Sequence, residues 1–275
     1  MVAAAALLLA SWQAKLTLAA VGDIMLDRYV GRRISRGGDP LAEVRTRLSS
    51  ADICIGNLEC PLTTHPKQAH KQFVFKADPG WAKHLSCFEI LSVANNHSLD
   101  CGEVGFRDSL ATLKAQGIGQ IGLAPVRVEI VSKNGIKVGF LAYSDFDQGE
   151  QGILHWSKDL LQAIHSAKKN CDFVVVMPHW GLEHTTNISA RQRSQAIALV
   201  QAGADLVLGS HPHRLQAAEC VGGKWVVFSL GNFVFDAVGE DSNSVIERFT
   251  FRRQGITREA PIRVTIRQGF PTIPE

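Results

Sequence analysis

The chain has 275 residues, 45% of them hydrophobic and 20% charged, which is ordinary globular composition with enough apolar material for a sizeable core and excludes a disordered or fibrous chain. The formal net charge of +3 is spread along the sequence, so the concentrated basic field of a nucleic-acid-binding protein is absent. Six cysteines (Cys54, Cys60, Cys87, Cys101, Cys171 and Cys220) show no Cys-x-x-Cys spacing, which argues against a zinc knuckle, a redox pair or a disulfide framework.

Met1 to Ala10 is almost wholly apolar and ends in small residues. It is too short to span a bilayer and lacks the basic start of a secretory signal, so two readings stay open: a clipped export signal or anchor, or an apolar helix packed on the protein. Residues 1–15 are therefore set apart as an N-terminal segment. No Pro/Ser-rich linker or internal repeat divides residues 16–275, which read as a single domain.

Beyond that point short apolar runs alternate with longer amphipathic segments. Strands are expected at Leu16–Val21, Ile53–Ile55, Glu89–Ala94, Val126–Val131, Val138–Ala142, Phe173–Met177, Leu206–Leu208 and Trp225–Ser229. A helix is expected to open at Asp39, with Pro40 in its first position, and others to cover Gly105–Ala115, Lys158–Lys169 and Ala190–Ala202. Asn134-Gly135 and Gly222-Gly223 read as tight hairpin turns, which add antiparallel pairs to an otherwise alternating pattern. The tail, with Phe249-Thr250-Phe251 and Ile262 to Ile266, is expected to supply edge strands. The fold class is α/β, a layered αββα sandwich with mixed sheets.

Polar residues collect where the strands stop. The first strand runs into Gly22-Asp23, the second into Gly56-Asn57-Leu58-Glu59, and the third into Asn95-Asn96-His97 with Asp100 close behind. Phe173–Met177 leads to His179, with Glu183 beyond; Leu206–Leu208 leads to Gly209-Ser210-His211-Pro212-His213, and Val226 to Leu230 leads to Gly231-Asn232. Carboxyl ends of strands in open α/β sheets face the ligand crevice, so these residues are expected to converge, with the glycines letting backbone approach a ligand closely. Each position also has an ordinary use, as a helix cap, a side-chain turn or a hydrogen-bonded core histidine. Arg32, Arg33, Arg36, Lys67, His70, Lys71 and Lys76 form a mild basic cluster, suited either to an anionic ligand or to plain solvation.

Carboxylate, amide and imidazole donors together suit Mn, Zn or Fe better than Mg or Ca. Two such ions about 3.5–4 Å apart would activate a water and stabilise both oxygens of a displacement. Glu59 has the charge and reach to bridge them, whereas Asn57 offers a neutral oxygen. His97 fits a general acid, with Asp100 placed to fix its tautomer. The sequence contains no Gly-x-Ser-x-Gly elbow, Walker loop or His-Glu-x-x-His.

The ordered blocks Gly22-Asp23-Ile24-Met25-Leu26, Gly56-Asn57-Leu58-Glu59, Phe73-Val74-Phe75, Ala94-Asn95-Asn96-His97, His179-Trp180-Gly181 with Glu183, Gly209 to His213 and Ser229-Leu230-Gly231-Asn232-Phe233 resemble the bacterial capsule synthesis protein CapA family, associated with poly-γ-glutamate, over Leu16 to Asp236. That family is similar in fold to calcineurin-like metallophosphoesterases. The resemblance implies Asp23 and His213 on a first divalent metal, Glu59 or Asn57 bridging, Asn96, His179 and His211 on a second, and His97 as acid. It implies a hydrolase-like activity on an anionic polymer or phosphoester, or alternatively a non-catalytic role in binding poly-γ-glutamate. It also points to membrane-bound capsule synthesis proteins as partners and to a membrane-associated or extracytoplasmic place. Two positions depart from the phosphoesterase pattern: Met25 stands where a histidine is usual, and Asn57 where an aspartate is.

Overall fold

The computed structural model describes residues 14–146 and 151–274; nearly all of the N-terminal apolar segment lies outside them. Two mixed sheets face each other across one large apolar core. In the first, β1 (Leu16–Ile24), β2 (Ile53–Leu58), β3 (Ile90–Ser92) and β4 (Gly119–Ile121) run parallel in that order. On the other side of β1 lie β12 (Asn243–Arg252), β14 (Ile262–Arg267) and β15 (Phe270–Thr272), with β11 (Asn232–Val234) parallel on the end of β1 and β13 (Gly255–Arg258) on β12. The second sheet has the order β5 (Glu129–Lys133), β6 (Ile136–Ser144), β7 (Phe173–His179), β8 (Leu206–Leu208), β10 (Lys224–Val227) and β9 (Ala218–Val221), parallel from β6 through β10.

Period-two alternation divides the second sheet between two cores. Val138, Phe140, Ala142, Phe173, Val175, Met177, Leu206 and Leu208 point into the inter-sheet core. Leu141, Tyr143, Val174, Val176, Val207 and Val226 face outward, onto Leu160 and Ile164 of α4 (Lys158–Asn170) and Ala196 and Leu199 of α5 (Ala190–Ala202). The first sheet is flanked by α3 (Gly102–Ala115), whose Phe106 and Leu113 belong to the same large apolar cluster. The result is the expected αββα layering. Both hairpins form as expected, Lys133 pairing with Ile136 and Val221 with Lys224 across two-residue turns with positive φ. Among the described residues no helix is long and apolar enough to cross a membrane.

Two expectations are corrected. No helix starts at Pro40: Asp39 accepts from the Leu41 amide at 3.1 Å and also pairs with Arg45, so it closes a turn, and only Arg45–Ser49 (α2) is helical. The chain instead places an earlier helix, α1 (Arg28–Ser35), capped by Asp27. The tail is not all edge, since β12 lies between β1 and β14 and is buried on both faces, which the alternating Phe249-Thr250-Phe251 pattern did not signal.

Candidate metal centre

The carboxyl ends of β1, β2, β3, β7 and β8 meet where the two sheets abut. Asp23 and Asn57 are register partners at the ends of β1 and β2, and His179, the last residue of β7, bridges to Ser210 just past β8. Two glycines make this meeting tight. A Cβ on Gly22 would lie 1.8 Å from the Gly231 carbonyl oxygen, and one on Gly209 would lie 2.1 Å from that of Phe228. Their missing side chains thus serve close approach to neighbouring backbone, where the sequence suggested approach to a ligand.

The turn after β8 is strained. His211 and His213 hold φ of +94° and +60° on either side of Pro212, a region costing non-glycine residues about 1–3 kcal/mol each. Fixed contacts offset that cost: the His211 amide donates to Asp23 Oδ2 at 3.3 Å, and Asn232 Nδ2 donates to the His213 carbonyl at 3.2 Å. Both rings are thereby turned inward, His211 being 4% and His213 6% exposed.

Asp23, Asn57, Glu59 and His179 are fully buried. His179 Nε2 lies 2.9 Å from Asn96 Oδ1, 3.1 Å from His211 Nδ1 and 3.8 Å from Glu59 Oε1, while its Nδ1 is 2.9 Å from Ser210 Oγ. His213 Nδ1 lies 2.9 Å from Asn232 Oδ1 and 3.4 Å from Asp23 Oδ2, and its Nε2 is 3.8 Å from Glu59 Oε1. Two donor triads result: Glu59, His179 and His211, and Asp23, Glu59 and His213, with the ligand atoms of each within 4.8 Å of one another. Glu59 belongs to both.

Neither Glu59 oxygen has a hydrogen-bond partner. A buried carboxylate so placed is expensive unless a cation meets it, so the residues present fit a metal site. Burial, reinforced by the Asp23 carboxylate, pushes the Glu59 carboxyl well above its usual range. Burial alone would lower His213, but the Glu59 and Asp23 carboxylates override it and raise the imidazole to about 10. His179 and His211 are driven well down, first by burial and then by a neighbouring imidazole, His211 acting on His179 and His213 on His211. His179 and His211, kept neutral, are ready metal donors.

Asn57 stands beside this centre with both amide ends engaged: Nδ2 donates to Asp23 Oδ1 at 2.8 Å, and Oδ1 accepts from Asn95 Nδ2 at 3.1 Å. The orientation follows from chemistry, since a carboxylate cannot donate to an amide oxygen. Asn95 takes the ordinary role open to it, its Oδ1 accepting from the His97 amide at 3.0 Å in a side-chain turn. Met25 is fully buried in the inter-sheet core, so no imidazole stands at that position.

His97 lies at the rim of the cluster, stacked on Phe75 at 4.1 Å with Nδ1 2.8 Å from Asp100 Oδ2. Burial lowers its pKa against the pull of Asp100. Asp100 is itself held by the Phe75 amide at 2.6 Å and by Lys71 Nζ at 2.6 Å. His97, His213, Arg28, Phe73 and Phe235 line a cavity of about 160 Å³ that opens from the cluster. Phe146 lies against the His179–His211 side of the cluster, 4.1 Å from the His211 ring.

All the candidate residues read from the sequence lie in this region. Reasoning from strand ends missed Ser210, Phe146 and Lys71. Ser210 adjoins His211 and was open to notice; Lys71 reaches Asp100 from a loop 29 residues earlier, and no local pattern signals that.

A family model described as bacterial capsule synthesis protein PGA_cap matches residues 17–237, four-fifths of the chain and every residue of this cluster. The chain belongs to that family. Its relatives include a PGA biosynthesis protein CapA of Bacillus subtilis, 31% identical over 91% of this chain and 72% of that protein, and a capsule biosynthesis protein CapA of Bacillus anthracis, 32% identical over 94% and 69%. Among solved structures, a phosphatase from Mycoplasma pneumoniae superposes with a TM-score of 0.61 at 14% identity, covering 94% of this chain and 95% of that one. A candidate 5′-nucleotidase from Staphylococcus aureus gives 0.53 at 14% identity, over 95% of this chain and 55% of that one. This capsule synthesis protein therefore has a metallophosphoesterase-like fold.

Proposed function

We propose that this PGA_cap protein is a metal-dependent hydrolase of poly-γ-glutamate capsule synthesis, acting on the anionic polymer or on a phosphoester through a site for two divalent transition ions, Mn, Zn or Fe. The observation that carries the proposal is Glu59, fully buried, shared by both donor triads and without a hydrogen-bond partner on either oxygen. Asp23 and His213 would hold one ion, Asn96, His179 and His211 the other, and Glu59 would bridge them. Asn57 serves better as the donor that fixes Asp23. When bound, the ions supply acidity for an attacking water and positive charge for the reacting oxygens.

The chain's own groups do the rest. Ser210 fixes the His179 ring from its Nδ1 side, and Asn232 does the same for His213. Asp100 holds the His97 proton on Nδ1, which leaves Nε2 as the atom that exchanges a proton with the leaving group. Burial keeps His97 neutral in the free protein, and an anionic substrate in the adjoining cavity raises its proton affinity when an acid is needed.

A second reading, an accessory protein that binds the polymer without cleaving it, is favoured by Met25 and by the engaged amide of Asn57, which leave the first metal place with fewer donors than the phosphoesterase pattern. Metal analysis joined to a hydrolysis assay separates the two. The hydrolase reading expects at least one tightly held transition metal, with metal and hydrolysis lost together in His179→Ala and His211→Ala. A protein whose thermal stability is unaltered by chelation speaks for the accessory reading.

A further inference from the structure

The structure sorts the basic cluster seen in the sequence. Lys67 is spent on Asp27 and Lys71 on Asp100, both at 2.6 Å. Arg33 donates from Nη1 to the Gln268 carbonyl at 2.9 Å and lies over the Phe270 ring at 3.8 Å. Arg32 and Arg36 of that cluster are exposed, and together with exposed Arg28 they stand at four-residue intervals along α1 and its C-cap. Residues at i, i+4 and i+8 share a helix face, about 6 Å apart per step. The helix carries no acidic residue, and neither Arg32 nor Arg36 has a carboxylate partner among the described residues. Arg28 ends the row inside the cavity that holds His97 and His213, paired there with Asp236 at 3.0 Å.

We infer that Arg28, Arg32 and Arg36 form a ladder that binds a single flexible polycarboxylate strand and leads it into the metal-site cavity. The occupant rests on the capsule-polymer reading above, and two observations support it. A γ-linked glutamyl unit carries two methylenes more than the 3.3–3.6 Å of an ordinary extended residue and so spans about 6 Å, presenting one carboxylate per helical step. Guanidinium groups pair with carboxylates in bidentate geometry. A nucleic acid strand has a similar charge spacing but also needs exposed aromatic faces for its bases. The two exposed rings beside the ladder are already covered, Tyr29 by Arg32 at 5.6 Å and Phe73 by Arg28 at 5.3 Å.

The test is fluorescence anisotropy of a labelled γ-linked glutamate hexamer at low salt, against the wild-type protein, Arg32→Glu/Arg36→Glu and Arg32→Lys/Arg36→Lys. The charge-reversal variant is expected to bind at least about tenfold more weakly, the lysine variant, which keeps the charge but not the bidentate fork, to lose less than the reversal, and wild-type binding to fall steeply with salt. Thermal midpoint and metal content serve as folding controls; should the reversal variant fail them, Arg32→Gln/Arg36→Gln takes its place. His179→Ala is expected to keep hexamer binding, which separates the two proposals: binding without hydrolysis removes only the enzyme, and metal-dependent hydrolysis without hexamer binding removes only the ladder. Equal affinity in the charge-neutralised or reversed variant, no wild-type binding, or equal retention of a labelled thymidine hexanucleotide would overturn the inference.

Discussion

Glu59→Gln is expected to stabilise the metal-free protein and at the same time abolish its response to metal. In the folded chain the Glu59 carboxyl is fully buried with both oxygens unpartnered, beside the Asp23 carboxylate. A buried polar group without a partner costs about 1–3 kcal/mol, and a charged one more. The amide needs neither a buried charge nor a proton and is not repelled by Asp23, so a gain of about 1–3 kcal/mol is expected, or about 2–5 °C in thermal midpoint for a chain of this size. A cation at a thousandfold excess over its Kd would stabilise wild type by about 4 kcal/mol, and the variant hardly at all. The two proteins should therefore exchange rank: the variant melts higher in chelator, and wild type melts higher in Mn or Zn. Calorimetry in both conditions checks this. A variant that melts well below wild type in chelator, or that gains as much from metal, would refute the reasoning.

Four further outcomes follow from the same geometry. The His213 pKa is raised to about 10 from an unfolded value near 6.5, so its contribution to metal-free stability is complete below about pH 6.5 and lost as pH rises through 10; because its proton must leave for metal to bind, affinity should rise about tenfold per pH unit in that window, with proton release measurable by calorimetry in paired buffers. His179 and His211 are lowered, so at acid pH the unfolded chain takes up protons that the fold refuses, and metal-free stability should fall below about pH 6.5 in urea titrations. Asp100→Asn leaves the His97 stack on Phe75 but removes its carboxylate partner; the expected effect is a drop of about tenfold or more in kcat with a shifted pH profile and metal content unchanged, whereas loss of metal together with activity would make Asp100 merely structural. Gly209→Ala, with its Cβ 2.1 Å from the Phe228 carbonyl, should destabilise by more than about 3 kcal/mol or fail to fold, as denaturant titration would show.

Much of this protein is legible in its sequence because the signals are local. Alternating apolar runs mark the strands of the second sheet, Asn134-Gly135 and Gly222-Gly223 fix two hairpins, and polar residues at the strand ends carry the donors of the candidate metal centre. The tertiary structure decided what depends on distant groups. It made Asp39 the close of a turn, where the local Asp-Pro pattern suggested a helix start, and placed β12 inside a sheet because flanking strands bury both its faces. It joined Lys71 to Asp100 and distinguished Arg32 and Arg36 from an occupied Arg33, which sequence spacing cannot do. Above all it put Glu59 at the intersection of two triads and turned Asn57 toward Asp23. Residue type states what a side chain can donate or accept; only packing states which partners remain for it. The sequence therefore determined the donors, and the meeting of the two sheets decided which of them was left without a partner.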